Sequence, residues 1–198
     1  VGKYGSPVQK ALQKLKGTDI RMICSTHGPV WQEKIERVIG IYDKASRYEG
    51  EEGVVIAYGS MYGNTEQMAE CIARELAVKG IRNIVMHNVS KSNLSCVLRD
   101  VFKYKGLIIG SPTYTNVLFP EIESLISKLE GRDIKNRLFG FFGSYSWAGA
   151  VVRNLSAFAE KMKWEVVAEP VEMKQGISSD TMAQCRVLAD GIASKLKG

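Results

Sequence analysis

The 198 residues suffice for one full domain with its own core plus a short extra piece. Apolar residues make up 45%, charged residues 24% and aromatics 9%, as in an ordinary globular protein, and no low-complexity tract signals disorder. The 27 Lys and Arg exceed the 21 Asp and Glu by six but are scattered, which argues against a nucleic-acid surface, where basic residues cluster on one face. The excess suits an acidic protein partner or plain solubility.

Residues 1–50 read as one small α/β piece: a helix over Ser6–Lys16, a strand over Ile20–Cys24 and a helix over Trp31–Tyr48. That is too little to bury a core alone. The polar run Glu49-Gly50-Glu51-Glu52-Gly53 marks a boundary. The chain starts at Val1, which reads as a fragment of something longer.

From residue 53 to 198 short apolar runs alternate with helical patterns. The runs are Val54–Tyr58, Ile84–Val89, Gly106–Gly110, Leu138–Gly143 and Glu165–Ala168, with the length and near-continuous apolarity of strands buried on both faces. Between them come stripes such as Met68, Ile72, Leu76 and Ile122, Leu125, Leu129, and Cys185, Leu188, Ile192 follows the last, each on one helical face. Strand–helix alternation with right-handed crossovers predicts a doubly wound parallel α/β sheet covered on both sides. Cys71 and Cys185 fall on helical apolar stripes, while Cys24 and Cys96 stand apart with no C-x-x-C pair. Buried free thiols in a reducing compartment are expected rather than a disulfide framework or a zinc site. No apolar run reaches the ~18 residues of a membrane span, and nothing at the start reads as a signal peptide, so a cytoplasmic location is expected.

The first strand runs into Gly59-Ser60-Met61-Tyr62-Gly63-Asn64-Thr65, followed at once by a helix. Free N–H groups at a helix N-terminus hold phosphate, and the Ser60 and Thr65 hydroxyls and the Asn64 amide can complete its hydrogen bonds. The loop has neither the G-x-x-x-x-G-K-[ST] of triphosphate binding nor the G-x-G-x-x-G of dinucleotide binding. A single terminal phosphate fits it; a plain capped helix is the alternative.

Ligands of such sheets sit beyond the carboxyl ends of the strands where the strand order reverses. The third strand ends in Ser111-Pro112-Thr113-Tyr114-Thr115-Asn116 and the fourth in Gly143-Ser144-Tyr145-Ser146-Trp147-Ala148-Gly149. Tyr114, Tyr145 and Trp147 can wall a flat ring system; Thr113, Thr115, Asn116 and the main chain of Ser144–Gly149 can bond its polar edge. Ordinary packing accounts for any one of these aromatics alone.

Together the SMYGNT, SPTYTN and GSYSWAG segments resemble the three FMN-binding loops of the flavodoxin fold, in the form found in A-type flavoproteins, the flavodiiron proteins. The resemblance covers about residues 53–198 and implies a five-stranded sheet of order 2-1-3-4-5. It further implies FMN bound by Ser60, Met61, Tyr62, Gly63, Asn64 and Thr65, by Pro112, Thr113, Tyr114, Thr115 and Asn116, and by Ser144, Tyr145, Ser146, Trp147, Ala148 and Gly149. In that family a metallo-β-lactamase-like domain precedes the flavodoxin-like one and holds a diiron centre that reduces oxygen or nitric oxide. Residues 1–50 then resemble the end of that domain, with His27 of Ser25-Thr26-His27-Gly28-Pro29 as an iron ligand. By chemistry alone a single histidine beside Gly-Pro reads as a turn residue, since a metal site needs convergent ligands. The resemblance also implies an oxidoreductase that works as a head-to-tail dimer and draws electrons from a rubredoxin-like donor, this chain keeping the electron-transfer part. A free-standing flavodoxin or an FMN-dependent quinone reductase of the same fold is the alternative. A response-regulator type module would need acidic residues after the first strand, where the chain has Tyr58-Gly59-Ser60.

Overall fold

A computed structural model describes every residue from Val1 to Gly198. The chain divides into two units, Val1–Glu49 and Gly50–Gly198.

In the first unit helix α1 (Gly5–Leu15) leads to a short antiparallel hairpin, β1 (Ile23–Cys24) and β2 (Val30–Trp31), and then helix α2 (Ile35–Ser46). The helix predicted from Trp31 thus starts four residues later. Trp31 pairs with Ile23 across the hairpin, and Lys34, at the N-cap, holds a left-handed conformation (φ 56°) that cannot propagate a helix. The Gln9 amide joins α1 to α2, donating to Asp43 Oδ1 at 2.8 Å and Ser46 Oγ at 2.7 Å. Only Gly5, Val38 and Ser46 are buried in this unit, while Met22, Val30, Ile41 and Tyr42 stay exposed. So small a piece has almost no interior of its own.

The second unit follows the alternation: β3 (Glu51–Tyr58), α3 (Asn64–Val78), β4 (Ile84–Asn88), α4 (Leu94–Lys103), β5 (Tyr104–Tyr114), β6 (Val117–Leu118), α5 (Pro120–Glu130), β7 (Leu138–Tyr145), α6 (Val151–Met162), β8 (Glu165–Val166), β9 (Val171–Lys174) and α7 (Ser179–Lys197). Neighbouring strands run β4-β3-β5-β7, all parallel, with β8 and β9 both beside β7 and only β6 antiparallel. Counted along the chain with β8 and β9 as one broken strand, this is the order 2-1-3-4-5.

Side chains alternate across the strands, so one apolar run feeds two cores. Val55 and Ala57 of β3 face one cluster with Val97, Ile122, Leu125 and Leu155 of α4, α5 and α6. Val54 and Ile56 face the other, with Met68 and Ile72 of α3 and Leu188 and Ile192 of α7. Within the first cluster Phe158 and Trp164 meet edge-on at 5.3 Å, and Phe139 packs against both. The buried Cys185 thiol, pushed up to about 12 by burial and by the neighbouring Cys71, stays protonated and inert. Cys24 and Cys96 are exposed free thiols.

Arg137, 1% exposed, ends α4 from below: its Nε donates to Val101 O at 2.8 Å and its Nη2 to Phe102 O at 3.0 Å. Carbonyls at a helix C-terminus lack intrahelical donors, and the guanidinium fork supplies them. Burial lowers its pKa to about 10, which leaves it charged at neutral pH.

The fifth strand departs from expectation. Glu165–Val166 pairs with Leu138–Phe139, the ladder then breaks, and Val171–Lys174 resumes beside Phe142–Tyr145. Pro170 has no N–H to give the ladder, and at the break Val167 O lies 2.8 Å from where a Cβ on Gly191 of α7 would stand. The predicted run Glu165–Ala168 is thus half of this strand, and Val171–Lys174 is the half that reaches the ligand end of the sheet.

Candidate functional site

At the end of β3 the chain turns through Gly59–Gly63 into α3. Gly63 caps the helix with φ 86°, a conformation that glycine takes without strain. Its N–H donates to Ser60 Oγ at 3.1 Å, which folds the loop on itself and leaves the Ser60 proton to donate elsewhere. The first-turn N–H groups have no acceptor inside the helix and carry its partial positive charge. Thr65, 1% exposed, places Oγ1 2.9 Å from Ser144 Oγ on β7. Asn64 Nδ2 donates to the Gln175 carbonyl at 3.2 Å. The Tyr58 hydroxyl donates to Glu66 Oε1 at 2.7 Å; burial first, and Glu66 second, push it far above the tyrosine range, so it remains a neutral donor.

The second segment is strand for most of its length. Ser111 to Tyr114 continue β5, Thr115 and Asn116 turn, and β6 returns with Thr113 opposite Leu118 and Tyr114 opposite Val117. Thr115 (φ 44°) and Asn116 (φ 63°) are both left-handed, the signature of a two-residue type I′ hairpin. Ser111 Oγ accepts from Phe119 N at 3.0 Å, and Tyr114 meets Phe119 edge-on at 6.4 Å. Thr113 Oγ1 accepts from Ala150 N at 3.1 Å, tying this segment to the start of α6.

In the third segment Ser144 is buried and Tyr145 half-buried at the end of β7, while Ser146, Trp147, Ala148 and Gly149 lie open to solvent. Trp147 is 93% exposed and Tyr62 88% exposed. Side chains this large that pack on nothing have no part in the core.

One cleft joins the three segments. Its walls are Met61, Tyr62, Asn64 and Thr65 from the first, Pro112 and Thr113 from the second, and Ser144, Tyr145 and Ser146 from the third. It encloses about 430 Å³, its open mouth included. Ser60 and Gly63 shape the first loop without lining the cleft; Tyr114, Thr115 and Asn116 form the adjoining hairpin; Trp147, Ala148 and Gly149 lead from the cleft into α6.

Gln175 is a tenth lining residue, from a segment not predicted to take part. It follows β9, has φ 65° and donates its N–H to Tyr145 O at 2.8 Å. Only the Gln-Gly pair after the apolar Val171 and Met173 hinted at a turn here, and it does not reveal that the turn faces Asn64.

The donors fit a flavin mononucleotide. At one end stand neutral hydroxyl, amide and helix N-terminal donors suited to a monophosphate; beside them stand tyrosine faces and polar main chain suited to a ring system with a hydrogen-bonding edge. His27 lies in the exposed β1–β2 turn, and no group of three or more His, Cys, Asp or Glu side chains is placed to hold a metal ion. No helix is long and apolar enough to cross a membrane.

Comparison with known proteins places these features in a family. The anaerobic nitric oxide reductase flavorubredoxin of Escherichia coli (strain K12 / DH10B) is 30% identical over 168 residues, which are 84% of this chain and 35% of that protein. The rubredoxin oxygen:oxidoreductase from Desulfovibrio gigas superposes with a TM-score of 0.91 at 25% identity, over 99% of this chain and 50% of that one. The flavodiiron protein from Giardia intestinalis shares the fold, with a TM-score of 0.92 at 21% identity over 99% of this chain and 49% of that one. The chain thus spans 35% of the length of the curated relative and about half of each solved chain. The model of the flavodoxin family matches residues 56–187, from the middle of β3 into α7, and with the strand order and the cleft in agreement, this chain belongs to the flavodoxin family.

Proposed function

We propose that residues 53–198 bind FMN and pass electrons through it, as the flavodoxin-like part of a flavodiiron oxidoreductase. The observation that carries this reading is the meeting of the three strand-end segments in one cleft at the N-terminus of α3, where the strand order reverses. When bound, FMN takes up two electrons and can release them one at a time. The chain's part is to hold and orient it. First-turn N–H groups of α3, the Ser60 hydroxyl and Asn64 Nδ2 donate to the phosphate. Tyr145, Tyr62 and Trp147 offer flat faces to the ring. Pro112–Thr113, Thr115–Asn116 and Ser144–Gly149 supply main-chain partners for its edge and limit the approach of water.

The remainder of the reading rests on the relatives. The Desulfovibrio gigas protein is named for rubredoxin and oxygen, and the Escherichia coli protein for nitric oxide. For this chain we infer a rubredoxin-like donor and, in an intact protein about twice as long, a diiron centre that reduces oxygen or nitric oxide. Residues 1–50 are then the end of a metallo-β-lactamase-like domain, in which His27 serves as one iron ligand. The exposed apolar side chains of the first unit suit such a truncated piece. A head-to-tail dimer in the cytoplasm completes the reading.

The test is titration of the purified chain with FMN, followed by flavin fluorescence and absorption. Stoichiometric quenching, with bands that bleach under dithionite and return with an oxidant, is the expected result. A chain that leaves FMN fluorescence unchanged at saturating concentration overturns the proposal.

A further inference from the structure

The cleft has a strap that the three-segment reading leaves out. Gln175 sits after β9 with φ 65°, its N–H bound to Tyr145 O at 2.8 Å and its carbonyl bound by Asn64 Nδ2 at 3.2 Å. It lines the cleft beside Asn64 and Tyr145. The residue therefore bridges the phosphate end of the site and the end of β7, across 111 positions of sequence from Asn64.

The bond has a chemical consequence for Asn64. An amide side chain can present either its oxygen or its nitrogen, and which one faces a given neighbour is fixed by what that neighbour accepts. A backbone carbonyl only accepts, so Gln175 O requires Asn64 Nδ2 to face it. That nitrogen carries a second proton, and the helix N-terminus on which Asn64 stands favours an anion there. Turned the other way, the amide would offer its oxygen to the same anion and repel it. Gln175 O meets Asn64 from a residue with a left-handed backbone (φ 65°), in which non-glycine residues are uncommon.

We propose that Gln175 is a positioning residue: its left-handed backbone fixes the Asn64 amide as a phosphate donor, and so gives the cleft its preference for the phosphorylated flavin over riboflavin. This rests on the FMN reading above. The ligand class it selects is a flavin with a terminal phosphate monoester.

The readout is the ratio of riboflavin to FMN dissociation constants, measured by fluorescence quenching with each flavin in turn. General loosening of the fold weakens both affinities and leaves the ratio in place; loss of a phosphate donor lowers it. Gln175→Pro cannot reach positive φ and has no N–H for Tyr145, so the ratio should fall by about tenfold, the loss of one charge-assisted hydrogen bond. Gln175→Val, which keeps the N–H but disfavours the left-handed backbone, should lower it in the same direction and serves if the proline variant does not fold. Gln175→Gly accepts the backbone and should keep the ratio of the parent chain. Asn64→Ala should lower the ratio as far as Gln175→Pro does, and the double variant no further.

An unchanged ratio in both Gln175→Pro and Gln175→Val overturns the inference. So does a double variant whose ratio falls by the product of the single effects, because the two residues would then act separately. A parent chain that binds neither flavin defeats the FMN reading instead, and the two failures are distinguishable.

Discussion

The hydroxyls of Thr65 and Ser144, 79 positions apart in sequence, lie 2.9 Å from each other in the buried seam between the start of α3 and the end of β7. Each is the other's partner, and neither has ready access to water. Removing one orphans the other: Thr65→Val and Ser144→Ala should each cost about 1–3 kcal/mol of unfolding free energy. The double variant should cost less than the sum, because no lone hydroxyl is left behind. Urea denaturation of the four chains gives the coupling directly; strict additivity would show that the two groups do not interact.

Acid should weaken the fold through Asp100. Arg99 donates to its carboxylate at 2.8 and 3.0 Å and His87 Nε2 lies 2.9 Å away; together these hold its pKa below the usual carboxylate value, against the opposing effect of burial. A carboxyl with a lower pKa folded than unfolded binds fewer protons in the folded state. Its stabilisation is therefore complete above the unfolded value of ~3.9 and is lost as pH falls through the folded one. The stability gap between the parent chain and Asp100→Asn should be wide at neutral pH and shrink below about pH 4. Since Arg99 is largely exposed, molar salt should narrow the gap at neutral pH as well. A gap constant from neutral pH to pH 3 would remove Asp100 from the account.

The hairpin beside the cleft is built at a cost. Thr115 is β-branched and left-handed at φ 44°, a pairing that sterics disfavour by about 1–2 kcal/mol. Asparagine tolerates that conformation, and Asn is favoured at the first position of type I′ turns. Thr115→Asn should therefore raise stability by about 0.5–1 kcal/mol, read as a higher urea midpoint with the slope unchanged. A lower midpoint would mean that the threonine side chain makes a contact worth more than the strain.

How much of this the sequence reveals follows from what each element is made of. The three inner strands, β3, β5 and β7, are built on near-continuous apolar runs, such as Val54–Tyr58, all buried, and burial on both faces imposes that pattern; the edge strand β4 is apolar enough to read but only half-buried. Of the fifth strand the first half, within Glu165–Ala168, is legible, while the second half is hidden because Pro170 splits the strand and Glu172 interrupts the apolar Val171 and Met173. Trp31 extends the apolar spacing of α2, yet it belongs to a hairpin, because the left-handed Lys34 lies between them. In the cleft, the residues that carry recognisable side-chain chemistry, such as Asn64, Thr65, Tyr145 and Ser144, are legible. Gln175 is not, because it takes part through a carbonyl and a backbone angle, which leave little trace in residue type.

Pro112 is in register with Ser144, so two walls of the cleft are adjoining central strands of the sheet. A pocket bounded by flexible loops can open by itself, on the fast timescale of loop motion. This one can widen on that side only by parting β5 from β7, which also exposes Ile109, Phe141 and the core around them. Residence time and sub-global opening are then coupled. A molecule bound against these two strands should therefore slow amide exchange along the central strands as well as at the rim.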